Sequence, residues 1–480
     1  MGKLKTFISP VSNQADNKHE HKNIHPFVMM VCLLLICFVI SYIVPAGNYE
    51  RITTADGTEL IDPDSFIFVE RTPVTPWQLL LSVTQGMQRG ASIIFFLLII
   101  GGMFSILNAT SAINVGIANM LKKLSGKEFL IVPILMIFFG CGSAFCGNFE
   151  EFLVFVPLIL AICITIGYDS LTAVGMIFLA AAAGYGGSIT NSFTVGTAQE
   201  IAGLERFSGM DLRIILFIIL ESASIIYVLW YARIIKKTPK LSGAYEYDSK
   251  YNKEKKLNLE KVSPLTSRQT LVLTMFGVGI AISIWGIITQ GYYVDELAAI
   301  FLLTGVLGGF LGGLKPGEIC RAFEKGCHDM LLPSLMIGLA NSIVVLLSDA
   351  NILDIFLHYL AEGMDRIPTG LLACVMFLIH SIFNVVVPSG SAQAITTMPL
   401  MIPIADAAGI TRQTAVLAYQ LGDAFTNVLA PTGGEILAAL AICRVPYSKW
   451  LRFLLPIFVI WCLIALVFLV YATQTGYGPM

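Results

Sequence analysis

Charge is what this sequence has little of. Asp, Glu, Lys and Arg make up only 13% of its 480 residues, where a soluble domain carries about 25%. Hydrophobic residues make up 56% and mean hydropathy is +0.77. Repeated apolar runs of membrane length point to an all-α polytopic membrane protein. The formal net charge of -2 gives no ground for a nucleic-acid partner. The ten cysteines are scattered, mostly inside apolar runs. Cys141 and Cys146 lack zinc-site spacing, so neither a metal centre nor a disulfide framework is expected.

What charge there is sets a topology. Residues 1–25 carry Lys3, Lys5, Lys18 and Lys22 and read as a cytoplasmic leader. The apolar run Phe27 to Val44 is too long for a signal-peptide core and reads as an uncleaved first span. The loop 46–75 is acidic and is placed outside. Segment 236–268 is strongly basic and reads as a cytoplasmic linker. It separates a first half, 26–235, from a second half, 269–480. Further spans are expected near 91–108, 170–204, 208–235, 269–289, 294–314, 331–348, 411–442 and 453–473. Nine crossings put the N-terminus in the cytoplasm and the C-terminus outside.

Two runs do not fit this count. Residues 129–168 would span roughly 60 Å as one helix, at about 1.5 Å per residue. Their middle, GCGSAFCGN (Gly140 to Asn148), is turn chemistry. Residues 368–409 repeat the pattern around VPSGSAQ (Val387 to Gln393). Both read as re-entrant hairpins with tips inside the membrane, where only buried or wetted backbone is tolerated. Each is followed by a broken span. GYGGSITNSFTVGT (Gly184 to Thr197) interrupts the first, about 170–204, and TNVLAPTGGE (Thr426 to Glu435) the second, about 411–442.

The two units are similar in sequence. Pro157, Gly167 and Thr172-Ala173-Val174 match Pro399, Gly409 and Thr414-Ala415-Val416. The approach to the first hairpin is basic and that to the second is mainly acidic, so they are expected to enter from opposite sides. That is an inverted-topology repeat, typical of secondary transporters. A hairpin tip beside a broken helix offers carbonyls to cations and N–H groups to anions.

VPAGNYER (Val44 to Arg51), GNFEEF (Gly147 to Phe152), GGSITNSFTVGTAQ and NVLAPTGGEILAALA resemble the YfcC-like branch of the C4-dicarboxylate anaerobic carrier family. The resemblance covers about residues 25–473. It implies an elevator-type transporter with a scaffold and a moving transport domain, a homodimer in the lipid bilayer of the bacterial inner membrane. It implies either dicarboxylates or basic amino acids as substrate, the latter by arginine/ornithine-type exchange. The tips Cys146–Phe149 and Pro388–Ser391 depart from the Ser-Asn-Thr pattern of the superfamily, which leaves sodium ligation open.

Charge discriminates between the substrates. No Lys or Arg lies between Lys127 and Arg206, while Glu128, Glu150, Glu151, Asp169 and Glu200 do. Residues 368–441 add Asp406, Asp423 and Glu435, with Arg412 in an expected loop. An acidic core suits a cationic substrate, coupling cations, or both. The expected substrate contacts are Glu150, Glu151, Asn191, Ser192, Asn427, Glu435 and Ser391. The expected ion-coupling residues are Asn148, Thr190, Thr194, Ser389, Gly390, Asp423 and Thr432. No cofactor is expected beyond sodium or a proton as coupling ion. Each residue also has a plainer reading. An acid after a break caps a helix, an Asn caps a broken end, and tip serines pack a turn. His380 reads as a packing histidine. Helix dipoles alone can bind carboxylates, so a sodium- or proton-coupled carboxylate carrier stays open. Asp169 and Asp423 also give a remote match to intramembrane aspartyl proteases, but the motif around Asp423 is incomplete and no enzyme is expected.

Overall fold

The computed structural model describes residues 26–53, 59–124, 126–253, 264–362, 364 and 367–478. The leader and part of the linker, on which the orientation rests, lie outside these. The described residues begin with helix α1 (Pro26–Ile43) and four short strands, β1 (Ala46–Asn48), β2 (Arg51–Thr53), β3 (Glu59–Ile61) and β4 (Ile67–Val69). The strands pair antiparallel, β1 with β4 and β2 with β3. Then come α2 (Pro76–Arg89), α3 (Ala91–Ala109), α4 (Ala112–Lys123), α5 (Ile131–Cys146), α6 (Val156–Ile166), α7 (Ser170–Gly187), α8 (Thr197–Ile201) and α9 (Met210–Lys237). After the linker follow α10 (Ser267–Gln290), α11 (Val294–Leu311), α12 (Pro316–Asp329), α13 (Leu331–Asp349), α14 (Ile352–Glu362), α15 (Thr369–Val386), α16 (Gly390–Ala407), α17 (Arg412–Asn427), α18 (Gly434–Cys443) and α19 (Tyr447–Thr475).

Nine helices among the described residues are long and apolar enough to cross a membrane. The protein is therefore a multi-pass membrane protein. These nine differ from the nine expected spans. Glu128–Cys146 and Thr369–Val386, first arms of the two long runs, are included. The expected span 411–442 is absent because its break leaves α17 at 16 residues and α18 at 10, each too short to cross, and α17 also carries Gln413, Gln420, Asp423, Thr426 and Asn427. The described apolar part of the first run, Met30–Ile43, is short.

The helices pack in two groups. One contains α1–α4 and α10–α14, the other α5–α9 and α15–α19. They touch where α13 meets α18, α14 and β3 meet α16, and α3 meets the 3₁₀ turn Glu150–Phe155. The second group is built around α7 and α17, which pack on each other and are buried along nearly their whole length. Small residues make this possible. A Cβ on Gly184 of α7 would lie 2.4 Å from the Gly140 carbonyl oxygen of α5. Gln420 of α17 donates to the Gly186 carbonyl oxygen of α7 at 2.7 Å.

Contacts recur in matched pairs. α5 packs on α7 as α15 does on α17, and α9 on α7 as α19 does on α17. α8 packs on α16 as α18 does on α6, and α2 on α13 as α12 does on α3. Local detail recurs as well. Gly167 and Gly409 both have positive φ, 90° and 72°. Two residues on, Asp169 caps α7 by accepting from Thr172 N–H (2.8 Å), and Thr411 caps α17 by accepting from Thr414 N–H (3.3 Å).

Part of the linker docks on the second group. Ser170 N–H donates to Asp248 at 3.0 Å, and Asn252 donates to Asp248 (2.9 Å) and to the Cys443 carbonyl oxygen (2.9 Å). Asp169 accepts from Tyr231 and Ser242 as well as from Thr172. Burial, and then the nearby Asp169 charge, push the Asp248 carboxyl up to about 6. A carboxyl raised by folding favours the docked state when protonated, and that advantage is lost as pH rises through about 6. Limited proteolysis of the linker is therefore expected to slow at about pH 5 relative to about pH 7.5. The pH effect, taken as the ratio to Asp248→Asn, should vanish in that variant.

Candidate functional site

The two turns that interrupt the long apolar runs meet. α5 ends at Gly147, whose φ of 76° only glycine adopts without strain. A Cβ there would also lie 2.5 Å from Asn191 Oδ1. The second turn, Val387 to Ser389, leads into α16 at Gly390. Between the turns lies a cavity of about 60 Å³. It is lined by Gly147, Phe149 and Glu150 from the first turn and by Pro388, Ser389, Gly390 and Ser391 from the second. Tyr185 of α7, Phe193, Asn427 at the end of α17 and Glu435 in the first turn of α18 complete it, with Tyr293 from the α10–α11 turn. Two carboxylates face this space, and among the described residues no Lys or Arg lines it.

The adjacent glutamates separate here. Glu150 lines the cavity. Glu151 is buried and its carboxylate accepts the Phe149 N–H at 3.0 Å. It holds the turn that presents Glu150. Asn148 is buried and does not line the cavity. Asn191 is a cap: its Oδ1 accepts from Phe193 N–H (2.9 Å) and Thr194 N–H (3.3 Å). Its Nδ2 is buried without a partner. Thr194 shares a hydrogen bond with Ser188 at 2.9 Å and packs against Gly390. Ser192 is exposed and stands outside the cavity. Asp423 is fully buried just behind the second turn. One oxygen accepts weakly from Asn427 (3.4 Å) and the other is unpartnered, close to Gly390.

Thr190 and Thr432 perform one task at two places. Thr190 donates to the Phe145 carbonyl oxygen at 2.9 Å, and Thr432 donates to that of Val385. Each thus clips the interruption after α7 or α17 to the penultimate residue of α5 or α15. Two tyrosines do likewise for the turns themselves. Tyr185 donates to the Gly147 carbonyl oxygen (3.0 Å) and Tyr419 to that of Gly390 (2.6 Å). Thr190→Val and Thr432→Val are each expected to lose about 1 kcal/mol of stability, the net worth of one hydrogen bond. Thermal melting in detergent reads this, and transport should slow in both.

Several residues have no counterpart in the sequence reading. Asn384 is fully buried and its amide donates to the Asp423 carbonyl oxygen (2.9 Å), Thr426 Oγ1 (2.8 Å) and Asn427 Oδ1 (2.7 Å). It aims Asn427 at the cavity. Its signal was an amide inside the apolar first arm of the run 368–409. Tyr293 and Phe193 come from different groups, with ring centroids 5.4 Å apart, and carry no local signal. Arg213 is fully buried in α9 and donates to the carbonyl oxygens of Ser208, Ile189 and Phe207. It braces the interrupted segment after α7. His380 is packed with Gln393 and Thr397. Asp169 is occupied as a cap, and no described contact joins it to Asp423.

Two facing turns thus lie inside an apolar bundle, with Glu150 of the first turn and Glu435 of α18 on the wall between them. The profile of the C4-dicarboxylate anaerobic carriers matches residues 25–474. The chain belongs to the C4-dicarboxylate anaerobic carrier family. It is thus a membrane transporter and not an enzyme. Within reach of this family lies YfcC of Escherichia coli (strain K12), provisionally named a basic amino acid antiporter. It is 34% identical over 383 residues, covering 77% of this chain and 75% of that protein. An uncharacterized protein of Haemophilus influenzae (strain Rd) is 27% identical over 473 residues, covering 90% and 93%. Among solved structures, the YdaH transporter of Alcanivorax borkumensis aligns with a TM-score of 0.43 at 16% identity, covering 95% of this chain and 100% of that one. MtrF of Neisseria gonorrhoeae aligns at 0.40 and 15%, covering 98% and 97%.

Proposed function

We propose that this carrier exchanges a small cationic metabolite, a basic amino acid of the arginine/ornithine kind, by alternating access. The observation that carries the reading is the cavity between the two turns, with Glu150 and Glu435 on its wall and no basic residue. A substrate with a cationic side chain places its positive groups on these carboxylates. Asn427 and the N-terminus of α18 take its carboxylate. At about 60 Å³ the cavity is far smaller than the about 300–1,000 Å³ common for ligand pockets, so the turns must part for substrate to enter.

The long runs are proposed to be re-entrant hairpins, α5–α6 and α15–α16, within an inverted repeat of α1–α9 and α11–α19. The matched contacts, the paired threonine clips and the paired tyrosines support this. α5–α9 with α15–α19 is proposed as the moving transport domain and the other helices as the scaffold. The limited meeting points between the groups suit sliding. The N-terminus is placed in the cytoplasm and the C-terminus outside, in a homodimer in the inner membrane. Asp423, with an unpartnered oxygen beside Gly390 and Thr194, is available to a substrate amine or a coupling cation.

A dicarboxylate carrier is the second reading. It is favoured by the family's description and by the α18 N-terminus at the cavity. Counterflow in proteoliposomes separates the two. Internal unlabelled arginine or ornithine should accelerate uptake of labelled arginine, and internal succinate should not. Acceleration of labelled succinate uptake by internal succinate, with arginine inert, sinks the amino-acid reading.

A further inference from the structure

One intramembrane carboxyl is left over by this site. Glu221 lies near the middle of α9, 5% exposed, and neither of its oxygens has a hydrogen-bond partner. It fills the notch that Gly140 leaves in α5: a Cβ there would meet Glu221 Oε2 at 2.8 Å. Among the described residues, the helices packed on α9 offer it no cation. On α5 the titratable neighbour is the Cys141 thiol. α7 meets this stretch of α9 through Gly186 and Gly187 against Leu220 and Phe217. α19 meets it through Trp461, which donates to Ser224. The basic residues of α19, Lys449 and Arg452, lie beyond the Tyr227–Phe453 contact, nearly two turns from Glu221. On α9 itself, Asp211 and Arg213 are more than two turns away, and Arg233, Lys236 and Lys237 more than three.

An ionised carboxylate without partner or water is costly in such surroundings. A sodium ion would need several oxygen ligands, as hard cations do. Neither Glu221 oxygen has a hydrogen-bond partner, and no group of three or more His, Cys, Asp or Glu side chains that could hold a metal ion exists among the described residues. A proton needs only one carboxylate oxygen.

We propose that Glu221 is the proton-carrying carboxyl of this transporter and couples proton movement to the exchange of substrate. In the described conformation its carboxyl is neutral. A conformation that opens the α5–α9 interface to water lets the proton leave as hydronium and leaves a solvated carboxylate. The location fits such coupling. Gly140 lies on the same helix as the first turn, and its carbonyl oxygen also packs against Gly184 of α7, where an added Cβ would lie 2.4 Å from it. A shift of α5 or α7 that moves Glu150 therefore changes the Glu221 notch.

The proposal rests on the transporter reading, and the test keeps the two apart. Purified protein is placed in liposomes with an internal pH dye. Labelled arginine or succinate counterflow is followed in substrate-loaded liposomes, and internal pH during net substrate entry into empty ones, because one-for-one exchange of a single substrate returns as many protons as it carries. Wild-type protein should move protons as substrate enters. Glu221→Gln should keep counterflow and lose the proton signal and the pH dependence of transport. Net entry without proton movement in wild type, no net entry beside working counterflow, or proton movement retained in Glu221→Gln, overturns the proposal. Absence of counterflow with both substrates overturns the transport reading instead. A second measurement needs no variant. Dicyclohexylcarbodiimide attacks protonated carboxyls in apolar surroundings, and peptide mass spectrometry locates the adduct. Modification of Glu221 at neutral pH is expected; an unmodified Glu221 beside other labelled carboxyls contradicts a proton there.

Discussion

Glu150→Gln is expected to reduce substrate exchange on the order of 100-fold, the scale of a lost charged hydrogen bond of about 3 kcal/mol, with normal expression and melting. Glu150 faces the cavity, while its neighbour does not. Glu151 instead accepts the Phe149 N–H at 3.0 Å. A Gln at 151 keeps an acceptor for that N–H. Glu151→Gln should therefore retain exchange and lose stability by no more than about 1–2 kcal/mol, the difference between a charged and a neutral acceptor. Counterflow in proteoliposomes and melting of the same preparations read both outcomes. Equal loss of exchange in the two variants would show that the turn, and not the Glu150 carboxylate, is what transport requires.

Asn384→Leu is expected to be the most damaging change away from the cavity wall. One amide donates to three acceptors at the end of α17, and all of them are buried. Without it, Asn427 Oδ1 and the Asp423 carbonyl oxygen lose a buried donor. Each group so stranded costs about 1–3 kcal/mol. The variant should melt well below wild type, and what remains folded should exchange poorly because Asn427 is no longer aimed. Asn384→Asp returns the acceptor-side shape but not the donor and should not rescue. A variant that melts and transports normally would remove Asn384 from this role.

Much of the helical framework was legible because its causes are local. Apolar runs of membrane length mark α3, α9, α13 and α19, glycines and hydroxyls mark the interruption before α8, and Pro431, Gly433 and Gly434 mark that before α18. The matching of Gly167 with Gly409 and of Thr172 with Thr414 was visible because a left-handed helix end and an N-cap leave residue-specific marks. The site was legible only as a neighbourhood. Glu150, Glu435, Asn427, Ser389, Gly390 and Ser391 line the cavity, but nothing local distinguishes Glu150 from Glu151. That distinction depends on the 3₁₀ turn and on the Phe149 N–H. Thr190 and Thr432 were singled out as polar atoms near a tip, and their hydroxyls are spent on the Phe145 and Val385 carbonyls. Such partners are fixed by tertiary packing. Ser192 stands exposed outside the cavity, beside the cap made by Asn191. Tyr293 reaches the cavity from the other helix group, which no periodicity reveals. Arg213 and Glu221 are different. Both are ionisable residues within an expected span, 208–235, and the cost of burying such groups was sufficient reason to single them out.

The central claim is that the space between the two turns takes a cation. Ligand-dependent melting of the purified wild-type protein tests it most directly, because a ligand specific for the folded state raises the melting temperature by mass action. Arginine or ornithine should raise it in wild type and fail to do so in Glu150→Gln, while succinate leaves both unchanged. Stabilisation by succinate with none by arginine or ornithine would contradict a cation site between Glu150 and Glu435.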